Sequence, residues 1–150
     1  MMFEIIFYVF SSVLAYLDYK KFIVPNDILL TLLMMLIVFG LFEDRLNINS
    51  FGISFLLLVF FSVLMLLNRK MILGGGDIKY MMVIAIFIEP ILFPFFLIIT
   101  GIVQSSFLIF IQNIQKRKIA PMVPAMLISV ILSTWFYNST YFPFSNVLGS

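Results

Sequence analysis

From residue 91 to residue 111 the chain runs twenty-one positions without a charged side chain, and a stretch of that kind has few places to fold. About 20 apolar residues in an α-helix match the roughly 30 Å hydrocarbon core of a bilayer, where every backbone N–H and C=O must find its partner within the segment. Five further apolar runs, at 2–17, 28–42, 51–67, 78–88 and 122–137, are separated by short polar or Gly/Pro breaks. Hydrophobic residues make up 63% of the 150 and charged residues 11%, too few to coat a water-soluble exterior, which takes about 25%. The expected fold class is therefore all-α: a polytopic membrane protein with six transmembrane helices in a single domain over residues 1–150, with Gly149-Ser150 set aside as a cloning scar.

The run at 78–88 is the shortest and stops at Glu89-Pro90, so Pro90 and Pro94 are expected to form a turn or to kink a longer helix. Orientation follows from the loops. Lys20, Lys21, Arg69, Lys70, Lys79, Lys116, Arg117 and Lys118 fall on one side and only Arg45 on the other, which places the N-terminus outside and the basic loops in the cytosol. Glu4, Glu43, Asp44 and Glu89 then lie outside with Trp135, Tyr137 and Tyr141, and the cytosolic acids are Asp18, Asp27 and Asp77. The first run starts Met-Met-Phe-Glu and continues into Asp18-Tyr19-Lys20-Lys21, so it reads as a retained helix rather than a cleaved signal. Ser11 with Ala15 and Gly101 with Ser105 are small-residue pairs at helical spacing, suited to close helix packing.

The chain has no cysteine and no histidine. Disulfides, thiolate nucleophiles, Cys/His zinc sites and Ser-His-Asp triads are all excluded, and chemistry falls to carboxylates, hydroxyls and lysines. No metal or other cofactor is expected. The net charge of +2 carries no nucleic-acid meaning, because the cations are sorted by membrane side.

Asp18 closes the first run and Asp77 opens the fourth, so two acids far apart in sequence are expected at one membrane face. Twelve helical residues from Asp77 to Glu89 cover only about 18 Å, and sixteen from Met2 to Asp18 about 24 Å. Both acids then lie below the headgroups of a core about 30 Å thick, where a carboxylate points to function. A single interfacial acid has the plainer reading of a snorkelling or capping group. Asp77 resists that reading because it follows Gly74-Gly75-Gly76, three residues without side chains, free to adopt φ > 0 and to admit another chain closely. A phosphate-cradling loop is the competing use of such glycines, but the Lys-Ser/Thr ending and βαβ setting are missing. Asp27, after Pro25-Asn26, is expected to cap the second helix.

Gly74-x-Gly76-Asp77 with Lys79 resembles the G-x-G-D-x-K motif of type IV prepilin peptidases. Asp18 followed by Val24-Pro25-Asn26 is similar to that family's first aspartate and its Pro-Asn pattern, and Pro121-Met122-Val123-Pro124 is similar to its closing Pro-x-x-Pro segment. The resemblance implies an aspartic endopeptidase with Asp18 and Asp77 as the catalytic pair. It also implies that Pro25, Asn26, Gly74, Gly75, Gly76, Lys79, Pro121 and Pro124 shape the substrate site. The partner would be a prepilin with a short basic leader and an apolar helix, cut after a glycine at the cytosolic boundary. The larger bacterial members carry a cytosolic insertion with cysteine pairs that accompanies N-methylation. This chain has no cysteine, so the resemblance implies a peptidase-only form, as serves Tad/Flp-type pili or archaeal systems.

Two neighbouring carboxylates share one proton, the charged one acting as base and the neutral one as acid. Asp77 near a helix N-terminus with Lys79 close by is expected to be the base, and Asp18 at a helix C-terminus the acid. Lys79 is open to substrate, to lipid phosphate or to support of Asp77, and Lys20, Lys21 and Lys116–Lys118 to anionic lipids. The competing function is a small transporter or scaffold with Asp18 and Asp77 as a proton or cation site.

Overall fold

A computed structural model describes residues 2–46, 48–67, 74–115 and 120–145. The cations Arg69, Lys70, Lys116, Arg117 and Lys118, and Gly149-Ser150, lie outside the described residues. Six α-helices follow one another: α1 Met2–Lys21, α2 Asn26–Phe42, α3 Ile48–Leu67, α4 Gly75–Phe87, α5 Phe93–Gln115 and α6 Val123–Ser145. Among the described residues there is no strand. Each apolar run of the sequence became one helix.

The helices differ in how they meet the expectation of six spans. Met2–Lys21 and Pro90–Asn113 are long and apolar enough to cross a membrane, whereas Asn26–Phe42, Ile48–Val63 and Val123–Tyr137 are apolar but shorter. The 13-residue α4 is shorter still. Its end is set by Glu89-Pro90: a 3-10 turn at Pro90–Leu92 redirects the chain, and α5 starts at Phe93 with Pro94 in its first turn. Proline is tolerated there because the first amides of a helix have no intrahelical acceptor. A turn, rather than a kinked continuous helix, resolves the two prolines.

The short α4 is the buried strut of the bundle. Tyr80, Met81, Val83, Ile84, Ala85 and Ile86 are buried on nearly all sides, as a helix apolar all round requires. It packs on α2, α3 and α6, while α1 packs on α2 and α6, and α5 on α6. Across the core, Phe87 of α4 stacks on Phe7 of α1 with ring centroids 3.7 Å apart, and Phe3 stacks on the same ring at 5.4 Å. Outward, α2, α3 and α5 display Leu30, Leu41, Phe55, Leu56, Ile98 and Ile102, each more than half exposed. Exposed apolar rows of this extent mark a surface for membrane or protein contact. Of the two small-residue pairs, Ser11 and Ala15 are buried at a helix contact, while Gly101 faces open space.

The charges sort by end of the bundle. Glu43 accepts the amides of Met2 at 2.8 Å and Phe3 at 3.4 Å, and Arg45 lies 4.0 Å from Glu4. Glu4, Arg45 and Glu89 share a cavity of about 290 Å³ at this end, and Asp18 and Asp77 lie at the other, within electrostatic reach of each other.

Candidate active site

α1 extends one turn beyond Asp18 to Lys21, and the Phe22 amide closes that turn on the Asp18 carbonyl at 2.8 Å. Phe22 itself has φ 53°, the left-handed conformation that ends many helices but which costs a residue with a Cβ about 1 kcal/mol or more. The chain is thereby folded back at once, bringing Val24-Pro25-Asn26 across the entrance of α4. The Asp18 carboxylate points inward and is only 5% exposed.

A buried carboxylate needs donors. Asp18 finds them on α6: the Val123 amide donates to Oδ2 at 3.0 Å, and the Met122 amide is directed at the same carboxylate. Val123 is the first residue of α6, whose leading N–H groups have no intrahelical acceptor and carry the positive end of the helix dipole. Pro121 and Pro124 frame this N-terminus, Pro121 buried and Pro124 the second helical residue. The Pro-x-x-Pro segment therefore starts the last helix in a place where its amides face Asp18.

Asp77 is the third residue of α4 and half-buried. Its amide donates to the Gly74 carbonyl at 3.0 Å, and its carboxylate folds back towards the Gly74 amide, as an acid at this position does in a capping box. It also lies within electrostatic reach of Asp18. Asp77 on α4 is thus close enough to Asp18 on α1 to feel its charge.

The glycines do something other than expected. Gly74 is extended, with φ −64° and ψ 140°, Gly75 and Gly76 are already helical, and no glycine among the described residues has positive φ. What they supply is room. A Cβ on Gly76 would lie 2.7 Å from Cβ of Val24, and one on Gly74 would lie 2.8 Å from Oδ2 of Asp77. Gly75 faces open space. The expected flexible loop is the first turn of a helix, because three N–H donors and an acid at the third position favour one.

Lys79 does not support Asp77. It lies on another face of α4 and donates to Oδ1 of Asn26 at 2.9 Å, tying the start of α4 to the start of α2. Asp27 does not cap α2 either: Pro25 occupies the capping position without a side-chain bond, and the Asp27 side chain is exposed. Its backbone carbonyl accepts the Thr31 hydroxyl at 2.7 Å.

The reasoning that made Asp77 the base also changes. Asp18 sits in the last turn of α1, but its carboxylate accepts an amide at the N-terminus of α6, so its own helix is not the only one acting on it. Sequence reasoning missed this because it assigned each acid only to its own helix. A Pro-x-x-Pro opening of an apolar run was the available signal for a helix N-terminus.

Deeper along the same seam, Ser11 of α1 and Tyr80 of α4 are fully buried, and neither hydroxyl has a hydrogen-bond partner among the described residues. No group of three metal-ligating side chains occurs among the described residues. The chemistry open to this arrangement is general acid–base catalysis by two carboxylates on a water held between them.

No curated protein and no solved structure matches the chain. A family model does, over residues 5–109, a stretch that contains Asp18, Pro25-Asn26 and the Gly74–Lys79 motif and stops short of Pro121. By that match, which covers more than half of its length, the chain belongs to the type IV leader peptidase family.

Proposed function

We propose that the protein is an aspartic endopeptidase that removes the short basic leader of type IV prepilin-like precursors at the cytosolic boundary of the membrane. Family membership makes it a leader peptidase-like protease. The observation that carries the finer reading is the approach of Asp18 and Asp77 to one space from two helices that are separate in sequence. In this reading all six helices, with α4 enclosed by the others, lie in the membrane as a single domain with the N-terminus outside. The exposed apolar rows of α2, α3 and α5 favour that placement.

In this mechanism Asp18, whose carboxylate accepts the Val123 amide, is the base and Asp77 the acid, the two sharing one proton. Asp18 takes a proton from the water, whose oxygen attacks the carbonyl carbon of the scissile bond. Asp77 gives its proton to the carbonyl oxygen. The tetrahedral diol then collapses: Asp77 takes back the proton of one hydroxyl as the C=O bond re-forms, the C–N bond breaks, and the amine leaves with the proton that Asp18 had taken. The substrate segment must be extended at the cut, and a glycine there lowers the cost of unwinding it. Gly74, Gly75, Gly76, Pro25, Asn26, Lys79, Pro121 and Pro124 shape the approach to the pair. Without cysteine, the enzyme is a peptidase only, of the kind that serves Tad/Flp-type or archaeal precursors.

The test is co-expression with such a precursor, read as a mobility shift of the cleaved product. Asp18→Asn and Asp77→Asn are expected to abolish cleavage and Asp27→Asn to retain it. Cleavage by either of the first two variants would overturn the assignment.

A further inference from the structure

The polar side chains of α5 divide into two kinds. Thr100, Ser105 and Ser106 each donate to a carbonyl one turn back on their own helix, that of Phe96 at 2.8 Å, Gly101 at 2.7 Å and Ile102 at 2.9 Å, the usual back-bond of a hydroxyl in a helix. Gln104 differs. Among α5's described side-chain hydrogen bonds it alone reaches another segment, its Nε2 donating to the Ala120 carbonyl at 3.5 Å. A half-buried carboxamide in so apolar a run is costly unless it is used. Its Oε1 is buried with no partner among the described residues, so the donor half is what this place uses.

Ala120 is buried and stands just ahead of α6, whose first turn closes on the Met122 carbonyl through the Met126 amide at 3.0 Å. A carbonyl in this place ordinarily finds its donor three or four residues downstream. Four residues on is Pro124, which has no N–H. Three residues on is Val123, whose amide goes to the Asp18 carboxylate at 3.0 Å. A turn that closed Val123 on Ala120 would take that donor from Asp18. We infer that Gln104 is a positioning residue of the acid pair: by occupying the Ala120 carbonyl from α5, it leaves the Val123 amide to Asp18. A buried carbonyl needs a partner, and once it has one it competes less for the amide of its own turn.

The consequence for cleavage rests on the function proposed above, whereas the consequence for Val123 does not, and the two are read separately. With the full chain in micelles and no substrate, the Val123 amide proton resonance is expected to shift with pH as the carboxylate it donates to is protonated, and Asp18→Asn to abolish that shift. Gln104→Met, of similar length but without the N–H, is expected to lose most of it, while Ser105→Ala keeps it. Gln104→Asn, one methylene short of Ala120, is expected to match Gln104→Met and controls for packing of the thioether, with helical circular dichroism unchanged throughout. In the cleavage assay Gln104→Met is expected to lower the rate about three- to tenfold, the effect of one hydrogen bond, and to lower it no further in a Val123→Pro background, where the amide is already gone. A Val123 resonance that shifts with pH as before in both Gln104 variants would overturn the inference. So would a loss of cleavage that persists undiminished in Val123→Pro, which would make Gln104 a structural residue only. A parent protein that cuts no precursor would instead overturn the proposed function, and the Val123 resonance would still decide the role of Gln104.

Discussion

Phe7 and Phe87 stack face to face with centroids 3.7 Å apart, and this contact sets the register of α1 against α4. From Phe7 to Asp18 is eleven residues, and from Phe87 back to Asp77 is ten, so the two acids lie about 16 Å and 15 Å from the stack along their helices. Equal arms from one fixed point bring the carboxylates to the same depth. Replacing Phe87 by Ala removes that point, and a loss of about 1–3 kcal/mol is expected for a partly buried aromatic. Unfolding in mixed micelles measures it, and cleavage should fall even under conditions where the variant stays folded. A variant as active as the parent would mean the register is set elsewhere.

The Val123 amide at Asp18 can be removed without touching either acid. Proline has no N–H and is well accepted as the first residue of a helix, so Val123→Pro deletes the donor while leaving α6 able to start. A charge-assisted hydrogen bond contributes about 1.5–3 kcal/mol, so cleavage is expected to drop about tenfold or more. The lost donor favoured the ionised form of Asp18. Its removal should therefore move the acid limb of the pH–rate profile to higher pH, with no such movement in Val123→Ala, which keeps the amide. An unmoved acid limb in Val123→Pro would separate Asp18 from the role of base.

Activity itself should rise and then fall with pH through two apparent ionisations that belong to the pair rather than to either residue. Asp27→Asn should leave both in place, since the Asp27 side chain is exposed. One ionisation governing the whole profile would count against proton sharing.

The three glycines separate by what surrounds each. Gly76→Ala forces a methyl to 2.7 Å from Val24 and should both destabilise the protein and impair cleavage, by displacing Val24-Pro25-Asn26. Gly74→Ala meets only the mobile end of Asp77 at 2.8 Å, so cleavage should fall while the unfolding midpoint stays put. Gly75→Ala meets nothing and should stabilise α4 by about 0.5–1 kcal/mol, the helix preference of Ala over Gly. Thermal unfolding in detergent distinguishes the three.

The helices were legible as apolar runs between polar or Gly/Pro breaks, although among the described residues only two are long and apolar enough to span a membrane, and the family was legible in Gly74-x-Gly76-Asp77 and the upstream Asp18 with Pro25-Asn26. The glycines show where letters stop being enough. Absence of a side chain serves either an unusual φ or a close neighbour, and only the position of Val24 tells which. Asp27 looked like a cap because acids at helix starts usually are, but Pro25 already held that place. Lys79 was read with Asp77 from proximity in sequence, yet two residues along a helix is roughly half a turn, and it points to Asn26. The donors to Asp18 were invisible for a simpler reason: a backbone amide has no letter of its own, and this one lies 105 positions away.

That separation also governs when the enzyme can come into being. A chain released from the ribosome only as far as α5 already contains both aspartates, but the amides that hold one of them arrive with the last helix. Under the proposed mechanism, proteolytic competence is thereby deferred until synthesis is almost finished and the nascent helices have closed around α4. A protein truncated after Gln115 is expected to insert, to carry both acids and to cut nothing, so that half-made copies pose no hazard to the membrane proteins around them.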